Sequence, residues 1–298
     1  MPPRWTISTP NPTTVIGRDK PLRSGDAGYP ERLGDLPDPP RILWARGNLS
    51  VLDRTCVAIV GTRRATAYGE RVARELARVL AGAGATIVSG LARGIDGCAH
   101  QGALDADGAT VAVLGTGLDV VFPRGHARLQ QTIAERGLLL SELEPANAAH
   151  GGSFPRRNRI IAALASVTVV VEAGVKSGAL ITASYALELG RSVAAVPGPI
   201  DVPQARGSNE LLRDGAIVIA AMADALALAG LTAPIRVADL PEQGAERRLW
   251  DALGLGAADL DTLCTRAALP AHQGMAAVSA LELRGLIECE LSGAIRRM

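Results

Sequence analysis

The chain has 298 residues, of which 48% are hydrophobic and 20% are charged. This composition excludes a disordered chain, and the lack of both an apolar run of about 18 residues and a basic-then-apolar N-terminus argues against membrane-spanning and secreted proteins. The formal net charge is +1, so no overall positive field would attract a nucleic acid, and any such partner requires a local basic cluster.

The first part of the chain predicts little regular structure, and the middle part predicts a great deal. Residues 1–28 indicate an unpatterned arm, and the proline-rich residues 29–47 indicate an irregular segment packed on a larger body. From residue 55 onward, short apolar runs alternate with helical stretches. Strands are predicted at 56–61, 86–90, 110–115, 138–143, 166–173 and 192–198, and helices near 68–83, 95–107, 126–136, 156–164 and 177–190. Continuous apolar strands that alternate with helices are typical of a parallel sheet covered on both faces, so 29–230 is predicted to be a doubly wound, mostly parallel α/β domain.

The pattern changes near residue 231. The stretch LTAPIRVADLPEQ at 231–243 carries two prolines, is followed by Gly244 and predicts a linker. Residues 244–298 then predict three helices, near 245–253, 257–266 and 271–284, followed by two short strands around Ser292-Gly293. Three helices and a hairpin match a small winged-helix domain.

Cysteines and histidines show no spacing typical of a metal site or a disulfide framework. The cysteines are far apart and form no C-x-x-C pair; they are Cys56, Cys98, Cys264 and Cys289. The histidines are equally scattered, at His100, His126, His150 and His272. This pattern favours a protein without a bound metal in a reducing cytoplasm.

Candidate binding residues follow several of the predicted strands. Ligands of an open parallel sheet bind beyond the carboxyl ends of its strands. GTRRATAYG with Arg63 follows the first strand, SGLARGID with Gly90 follows the second, and EAGVKSGALIT with Lys176 and Ser177 follows the fifth. Because Lys176 is one of only two lysines in the chain, its place at this edge indicates a need for a compact point charge. These groups are expected to converge on one edge of the sheet.

A second basic feature is FPRRNR, which ends the long loop after the fourth strand. Its candidate residues are Phe154, Arg156, Arg157, Asn158 and Arg159. An aromatic side chain beside a basic run can stack a base while the cations hold the backbone, and arginines at a helix start oppose the helix dipole unless they meet an anion. The alternative interpretation is a solvated helix N-terminus with Phe154 in the core.

Motifs of common nucleotide-using enzymes are missing. The turn GTRRATAYG departs from G-x-G-x-x-G, no acidic residue after the second strand is placed to hold a ribose, and neither G-x-x-x-x-G-K-[ST] nor G-x-S-x-G occurs. Asp96 and His100 are i,i+4 neighbours on one predicted helix, where a structural role in capping or pairing is the favoured interpretation. Clustered Arg, Lys and Phe fit a phosphate-rich polymer better than a single small phosphate.

Several spaced motifs, in this order, closely resemble the DprA/Smf family, the DNA-processing proteins of bacterial natural transformation. They are YPERL, VAIVGTRRATAYG, IVSGLARGIDGCAHQGAL, TVAVLGTGLD, FPRRNRIIAALA and VVVEAGVKSGALITASYALELGRSVAAVPGPI. The resemblance covers residues 29 to about 225, and 244–298 resemble the winged-helix tail of many members. It implies a Rossmann-like domain that binds single-stranded DNA, forms a homodimer and helps load the RecA recombinase onto incoming strands, without catalysis and without a required cofactor.

The resemblance also implies a set of site residues. Carried over by motif, the DNA pocket includes Arg63, Gly90, Phe154, Arg157, Asn158, Arg159, Lys176 and Ser177, and the argument from FPRRNR adds Arg156. In the resulting hypothesis, Arg63, Arg157, Arg159 and Lys176 neutralise about four phosphates. Phe154 stacks a base.

Two departures from the family pattern bear on function. Many members carry a small helical domain before the YP segment, where this chain has only the unpatterned arm. The tail, 244–298, holds six arginines against seven acidic residues, and its predicted recognition helix offers only His272, Gln273 and Arg284 as DNA contacts. That balance favours a protein-interaction or stabilising role for the tail.

Two other hypotheses are kept. The sheet also resembles the nucleoside-monophosphate hydrolases of the lysine-decarboxylase-like group, but PGPIDVPQARGSN lacks their P-G-G-x-G-T-x-x-E glycine pair and glutamate. The second hypothesis is a regulator that binds duplex DNA through the winged helix. The net charge of −1 in 244–298 argues against this mode of DNA binding. No motif predicts the dimer surface, the residues that touch RecA or a DNA sequence preference.

Overall fold

The computed structural model describes residues 15–232, 241, 243–284, 286–290 and 293–297. The chain divides into two compact units, Met1–Ala233 and Pro234–Met298. Half of the predicted arm, 1–14, and most of the predicted linker, 233–240, lie outside the described residues.

A nine-stranded sheet forms the centre of the first unit. Its strands are β1 (Val15–Arg23), β2 (Ile42–Asn48), β3 (Cys56–Val60), β4 (Thr86–Ser89), β5 (Ala109–Leu114), β6 (Leu138–Ser141), β7 (Val167–Val170), β8 (Ser192–Ala195) and β9 (Ile217–Val218). They lie in the order β1-β2-β6-β5-β4-β3-β7-β8-β9. In this spatial order, the six neighbouring pairs of the series β6-β5-β4-β3-β7-β8-β9 are parallel, whereas β1 with β2 and β2 with β6 are antiparallel. Because the chain proceeds from β3 to β6 on one side and from β7 to β9 on the other, a ligand crevice opens at the carboxyl end of β3 and its neighbours.

Helices cover both faces of this sheet. They are α1 (Ala67–Gly82), α2 (Ile95–Asp105), α3 (Ala127–Arg136), α4 (Ser153–Leu164), α5 (Gly178–Glu188), α6 (Arg206–Arg213) and α7 (Met222–Leu228). Successive side chains of β3 alternate between two cores: Ala58 and Val60 pack with α4 and α5, and Val57 and Ile59 pack with α1, α2 and α7. A strand that is buried on both faces carries apolar residues at every position, which is why β3 is a continuous apolar run. The predicted doubly wound α/β fold is confirmed.

The N-terminal segment differs from its prediction. β1 and β2 extend the parallel sheet by two antiparallel strands, in a region predicted to be an arm and an irregular segment. In β2, every second side chain is buried, as in a half-covered strand, and Leu43 lies opposite the buried Leu22. Prolines up to Pro40 hide this short alternation, because proline at a strand interior normally argues against a strand.

Three further elements, α6, β9 and α7, follow residue 198, where the sequence pattern predicts none. β9 has two residues, and both are exposed at the edge of the sheet. α6 and α7 have eight and seven residues. Elements this short carry too few periodic positions to be recognised from hydrophobicity alone.

The second unit contains three helices and a hairpin, as predicted. The elements are α8 (Gly244–Leu253), α9 (Leu260–Arg266), α10 (Ala271–Leu283), β10 (Ile287–Cys289) and the antiparallel β11 (Ile295–Arg297). Leu249, Leu263, Leu281 and Ile287 form its apolar core. Ser292, at the predicted hairpin turn, lies outside the described residues.

Among the described residues, no helix has the length and hydropathy needed to cross a bilayer. Within the same part of the chain, no group of His, Cys, Asp and Glu side chains is arranged to hold a metal ion. The four cysteines are free thiols.

Candidate functional site

Two adjoining cavities open at the carboxyl edge of the parallel strands. The first, about 450 Å³, is lined by the loops after β3 and β7 and is called the lysine cavity after Lys176. The second, about 730 Å³, is lined by the loops after β4 and β5 together with Phe154 and is called the aromatic cavity. Arg63, Arg64, Ala92 and Arg157 contribute to both. The two cavities therefore form one continuous basic edge.

The turn after β3 presents Arg63 and Arg64. The backbone of this turn is held by Glu172, whose carbonyl accepts the Thr62 N–H at 2.6 Å and whose carboxylate accepts the Thr66 N–H at 2.9 Å. The Thr66 hydroxyl also donates to that carboxylate, and its oxygen caps α1. Glu172 is buried, whereas both arginines are exposed. A turn held by hydrogen bonds thus presents two exposed cations.

Gly90 ends β4 and lies against a buried arginine. A Cβ atom at this position would overlap the Arg157 guanidinium, so only glycine lets the two segments approach. The Gly90 N–H donates to the Asp96 carboxylate at 3.1 Å, and the Ala92 N–H donates to the same oxygen at 3.4 Å. Burial raises the pKa of Asp96. Gly90 is a close-packing position in the wall between the cavities.

Arg157 is the central side chain of this edge, although it is only 6% exposed. Its guanidinium donates to the carbonyl of Gly90 at 2.7 Å and to the carbonyl of Val113, which joins the ends of β4 and β5. Burial lowers the pKa of Arg157 to about 10. Its side chain lines both cavities, but Nη1 donates to these two backbone carbonyls and Nε donates to the Asn158 side-chain oxygen at 3.2 Å.

Lys176 and Ser177 precede α5 at the rim of the lysine cavity. The Ser177 hydroxyl accepts the Ala179 N–H at 3.3 Å and caps the helix. Asn158, in the middle of α4, donates from its side-chain amide to the Gly178 carbonyl at 3.0 Å and so ties α4 to the start of α5. Lys176 is exposed, and its position beside a helix N-terminus adds to the local attraction for anions.

Phe154 lies in the aromatic cavity, half-buried. The Arg63 guanidinium is over its ring, 5.3 Å from the centroid, and the ring of Phe122 is 5.0 Å away at an interplanar angle of 39°. A Cβ atom on Gly115 would come within 2.5 Å of the Phe154 ring, so this glycine makes room for the aromatic side chain.

Arg156 and Arg159 are not brought to either cavity. Arg159 is 5% exposed and pairs with Glu142 at 2.8 Å. Arg156 pairs with Asp38 and Glu142, and both arginines line a separate cavity of about 470 Å³. The structure therefore does not bring all three arginines of FPRRNR to one cavity, because, at 100° per residue along a helix, Arg157 points away from the side that carries Arg156 and Arg159. Their assignment as DNA contacts stays a prediction without geometric support.

The cluster also contains groups that the sequence argument did not commit to. Phe122 and Arg124 come from the loop after β5, Arg93 from the loop after β4, and Arg64 from the turn after β3. Each of these loops follows the carboxyl end of a parallel strand. That position is the one sequence signal that could have selected these four residues.

The edge carries an unbalanced positive charge. Arg63, Arg64, Arg93, Arg124 and Lys176 are exposed, and in the described part of the chain none of them forms an ion pair with a carboxylate. The acid that lines the lysine cavity, Asp96, is buried. Such a surface attracts an anion with several charged groups.

The six arginines of residues 244–298 differ from this cluster because each of them has a partner inside the second unit. Arg247, Arg284 and Arg296 donate to carboxylates, and Arg248, Arg266 and Arg297 donate to backbone carbonyls. Binding to phosphates would have to replace these contacts.

Comparison with known proteins places this architecture in one family. The model described as "DNA recombination-mediator protein A" matches residues 20–230, and the model described as "DprA winged helix domain" matches residues 234–293. The putative DNA processing protein DprA of Mycobacterium tuberculosis is 43% identical over 261 residues, which are 84% of this chain and 67% of that protein. Protein Smf of Escherichia coli is 46% identical over 64% of this chain, which spans only 51% of that relative's length.

Two solved structures are similar in fold and sequence. DNA processing protein A from Streptococcus pneumoniae superposes with a TM-score of 0.68 at 38% identity, over 74% of this chain and 77% of that one. DNA processing protein A from Helicobacter pylori, solved to study its single-stranded DNA binding mode, gives a TM-score of 0.64 at 35% identity, over 70% of this chain and 94% of that one.

Proposed function

Because the chain belongs to the DprA family of DNA-processing proteins, we propose that it binds single-stranded DNA in the basic pocket formed by the lysine and aromatic cavities. The observation that carries the proposal is the set of five exposed cations that have no carboxylate partner among the described residues and lie near two phenylalanine rings. The single-stranded DNA binding of the Helicobacter pylori relative supports the same ligand class.

The charges favour a polynucleotide over a single phosphate. Arg63 and Arg64 line both cavities, Lys176 lines only the lysine cavity, and Arg93 and Arg124 line only the aromatic cavity. One phosphate cannot contact cations spread over two cavities, whereas consecutive phosphates of a strand can. Backbone N–H groups at the start of α5 add donors for one of these phosphates.

The aromatic side chains favour an unpaired strand. A base can stack on a phenylalanine ring only when one of its faces is free, and the bases of a duplex are already stacked on one another. Duplex DNA would therefore gain the phosphate contacts but lose the stacking contact. The proposed preference is for single strands.

We also propose that the protein acts as a cytoplasmic homodimer that helps load RecA onto the bound strand, by binding alone and without catalysis or a cofactor. The support is the family description, which names a recombination mediator. Two pockets on one strand would raise the apparent affinity without any new contact.

A salt-titrated comparison of labelled dT20 with a duplex of equal length tests the ligand class. If five cations meet phosphates, log Kd against log salt concentration should have a slope of magnitude about 3.5 for the single strand. The single strand should also bind more tightly than the duplex at each salt concentration. Equal binding of the duplex, or a slope near zero, would contradict the proposal.

Lys176→Ala tests the pocket itself. Loss of one phosphate contact should weaken dT20 binding roughly tenfold and reduce the salt slope by about 0.7. Lys20→Ala is the matched control, because Lys20 is the other lysine of the chain and lies on the edge strand β1. Equal affinities of the two variants would mean that the strand binds elsewhere.

The two alternative functions have their own outcomes. Release of free base from nucleoside monophosphates would indicate a hydrolase instead of a binding protein. Tight duplex binding that is lost with residues 244–298 would indicate a regulator that uses the winged helix, although the six arginines of 244–298 already have intramolecular partners.

A further inference from the structure

We propose that Phe122 and Arg124, in the loop after β5, form a second nucleotide subsite, in which Phe122 stacks one base and Arg124 holds the adjoining phosphate. This inference rests on the proposed function, and it assigns the aromatic cavity to the nucleotide next to the one in the lysine cavity. The argument comes from the exposure of Phe122, the anchoring of its loop and the charges around it.

Phe122 offers the free aromatic surface at this edge. The chain has only two phenylalanines, and Phe122 is 47% exposed although burying it would have been favourable. Phe154 has less free surface, because Arg63 lies over its ring and Phe122 lies 5.0 Å from its centroid. A base cannot enter between the two phenylalanines, since two stacking contacts of about 3.5 Å each would need a separation of about 7 Å. A base must therefore stack on the outer face of Phe122.

The loop that carries Phe122 is held at both ends. The Gly117 N–H donates to the Asn147 carbonyl at 2.8 Å, which joins the loop to the segment after β6. At the other end, the His126 ring bonds to the Leu91 carbonyl at 3.1 Å, which joins the loop to the segment after β4. A platform that is ordered before binding loses little conformational entropy when a base stacks on it.

The aromatic cavity that holds the Phe122 ring also holds cations that can contact the phosphates of a stacked nucleotide. Arg124 and Arg93 are exposed, line the aromatic cavity with Phe122, and have no carboxylate partner in the described part of the chain. The acid in the same loop, Asp119, pairs with Arg46 at 2.5 Å. An aromatic face in the same cavity as exposed cations is the arrangement that holds single-stranded nucleic acid.

The test is a cycle that changes the protein and the DNA together. Wild type and Phe122→Ala are titrated with fluorescein-labelled dT20 and with the same backbone lacking bases. Stacking is worth about 1–3 kcal/mol per base, so Phe122→Ala should weaken dT20 binding about 5- to 150-fold. It should change binding of the abasic strand little, because the base that Phe122 contacts is already missing there.

Two further variants separate stacking from packing. Phe122→Leu keeps an apolar side chain but lacks a planar face, so it should lose affinity as Phe122→Ala does. Phe122→Trp should retain affinity, and its added fluorescence should be quenched by dT20 beyond the change seen with wild type. Arg124→Ala should lower the salt slope by about 0.7.

The outcomes distinguish this inference from the proposed function. If wild type binds dT20 with the expected salt slope but Phe122→Ala and Phe122→Leu bind as wild type does, the subsite is refuted and the proposed function stands. Equal losses of Phe122→Ala on the dT20 and abasic strands would also refute it, because the ring would then act through the fold. If wild type does not bind dT20, the proposed function itself fails.

Discussion

His100 should make the stability of the first unit fall as the pH drops below 6.5. The ring is fully buried on α2, behind the loop that carries Gly90. Its Nε2 accepts the Leu91 N–H at 3.3 Å, and its Nδ1 lies 2.7 Å from the Thr110 hydroxyl, which itself donates to the Ile87 carbonyl. The neutral ring with its proton on Nδ1 satisfies every partner, whereas a second proton on Nε2 would face the Leu91 N–H.

The magnitude follows from the pKa in the two states. Burial lowers the pKa of His100 from 6.5 to about 3 in the folded protein, helped by the charges of His126 and Arg157. Below pH 6.5 the unfolded chain therefore binds a proton at His100, whereas the folded protein does not bind it until about pH 3. The contribution of the neutral ring to the unfolding free energy is thus complete above pH 6.5 and is lost on acidification. Between pH 7 and pH 5 the loss amounts to about 2 kcal/mol.

Urea denaturation at pH 5, 6 and 7 measures this effect by comparison with His100→Gln. The variant should be less stable than wild type at pH 7, but it lacks the titrating ring. Its unfolding free energy should therefore fall by about 2 kcal/mol less than that of wild type between pH 7 and pH 5. His150→Gln, which removes an exposed ring from the same unit, should behave as wild type does. Parallel pH profiles of wild type and His100→Gln would refute the reasoning.

Two more predictions concern the wall between the cavities. Arg157→Met should lower the unfolding free energy by about 1–3 kcal/mol, because the Gly90 and Val113 carbonyls lose a buried donor. Arg156→Met is the control: its side chain is 56% exposed, so the change should cost under about 1 kcal/mol. Equal urea midpoints of the two variants would contradict the structural role of Arg157. Gly90→Ala should cost about 1–3 kcal/mol because its Cβ meets the buried guanidinium. Gly34→Ala, where a Cβ meets nothing within 4 Å, is the control, and a Gly90→Ala midpoint equal to it would show that the wall can relax.

The layers of the fold and the edge that holds the site could be predicted from the sequence alone. β3 to β8 are runs of four to six residues buried on both faces, so their hydrophobicity is local and continuous. The helices between them repeat apolar residues at helical spacing. Once the strands are recognised, parallel topology requires that the loops after them meet at one edge, which selected Arg63, Gly90 and Lys176.

The tertiary structure alone decided which cations are free to bind a ligand. Arg157 and Arg159 have the same residue type and the same helix as the exposed Arg156, yet they are buried and engaged, while Arg93 and Arg124 are exposed and unpaired among the described residues. The reason is that the partner of a side chain comes from elsewhere in the chain: the carbonyl of Gly90 is 67 positions from Arg157. Composition and spacing along the sequence carry charge and periodicity, but only packing determines which charges are already satisfied.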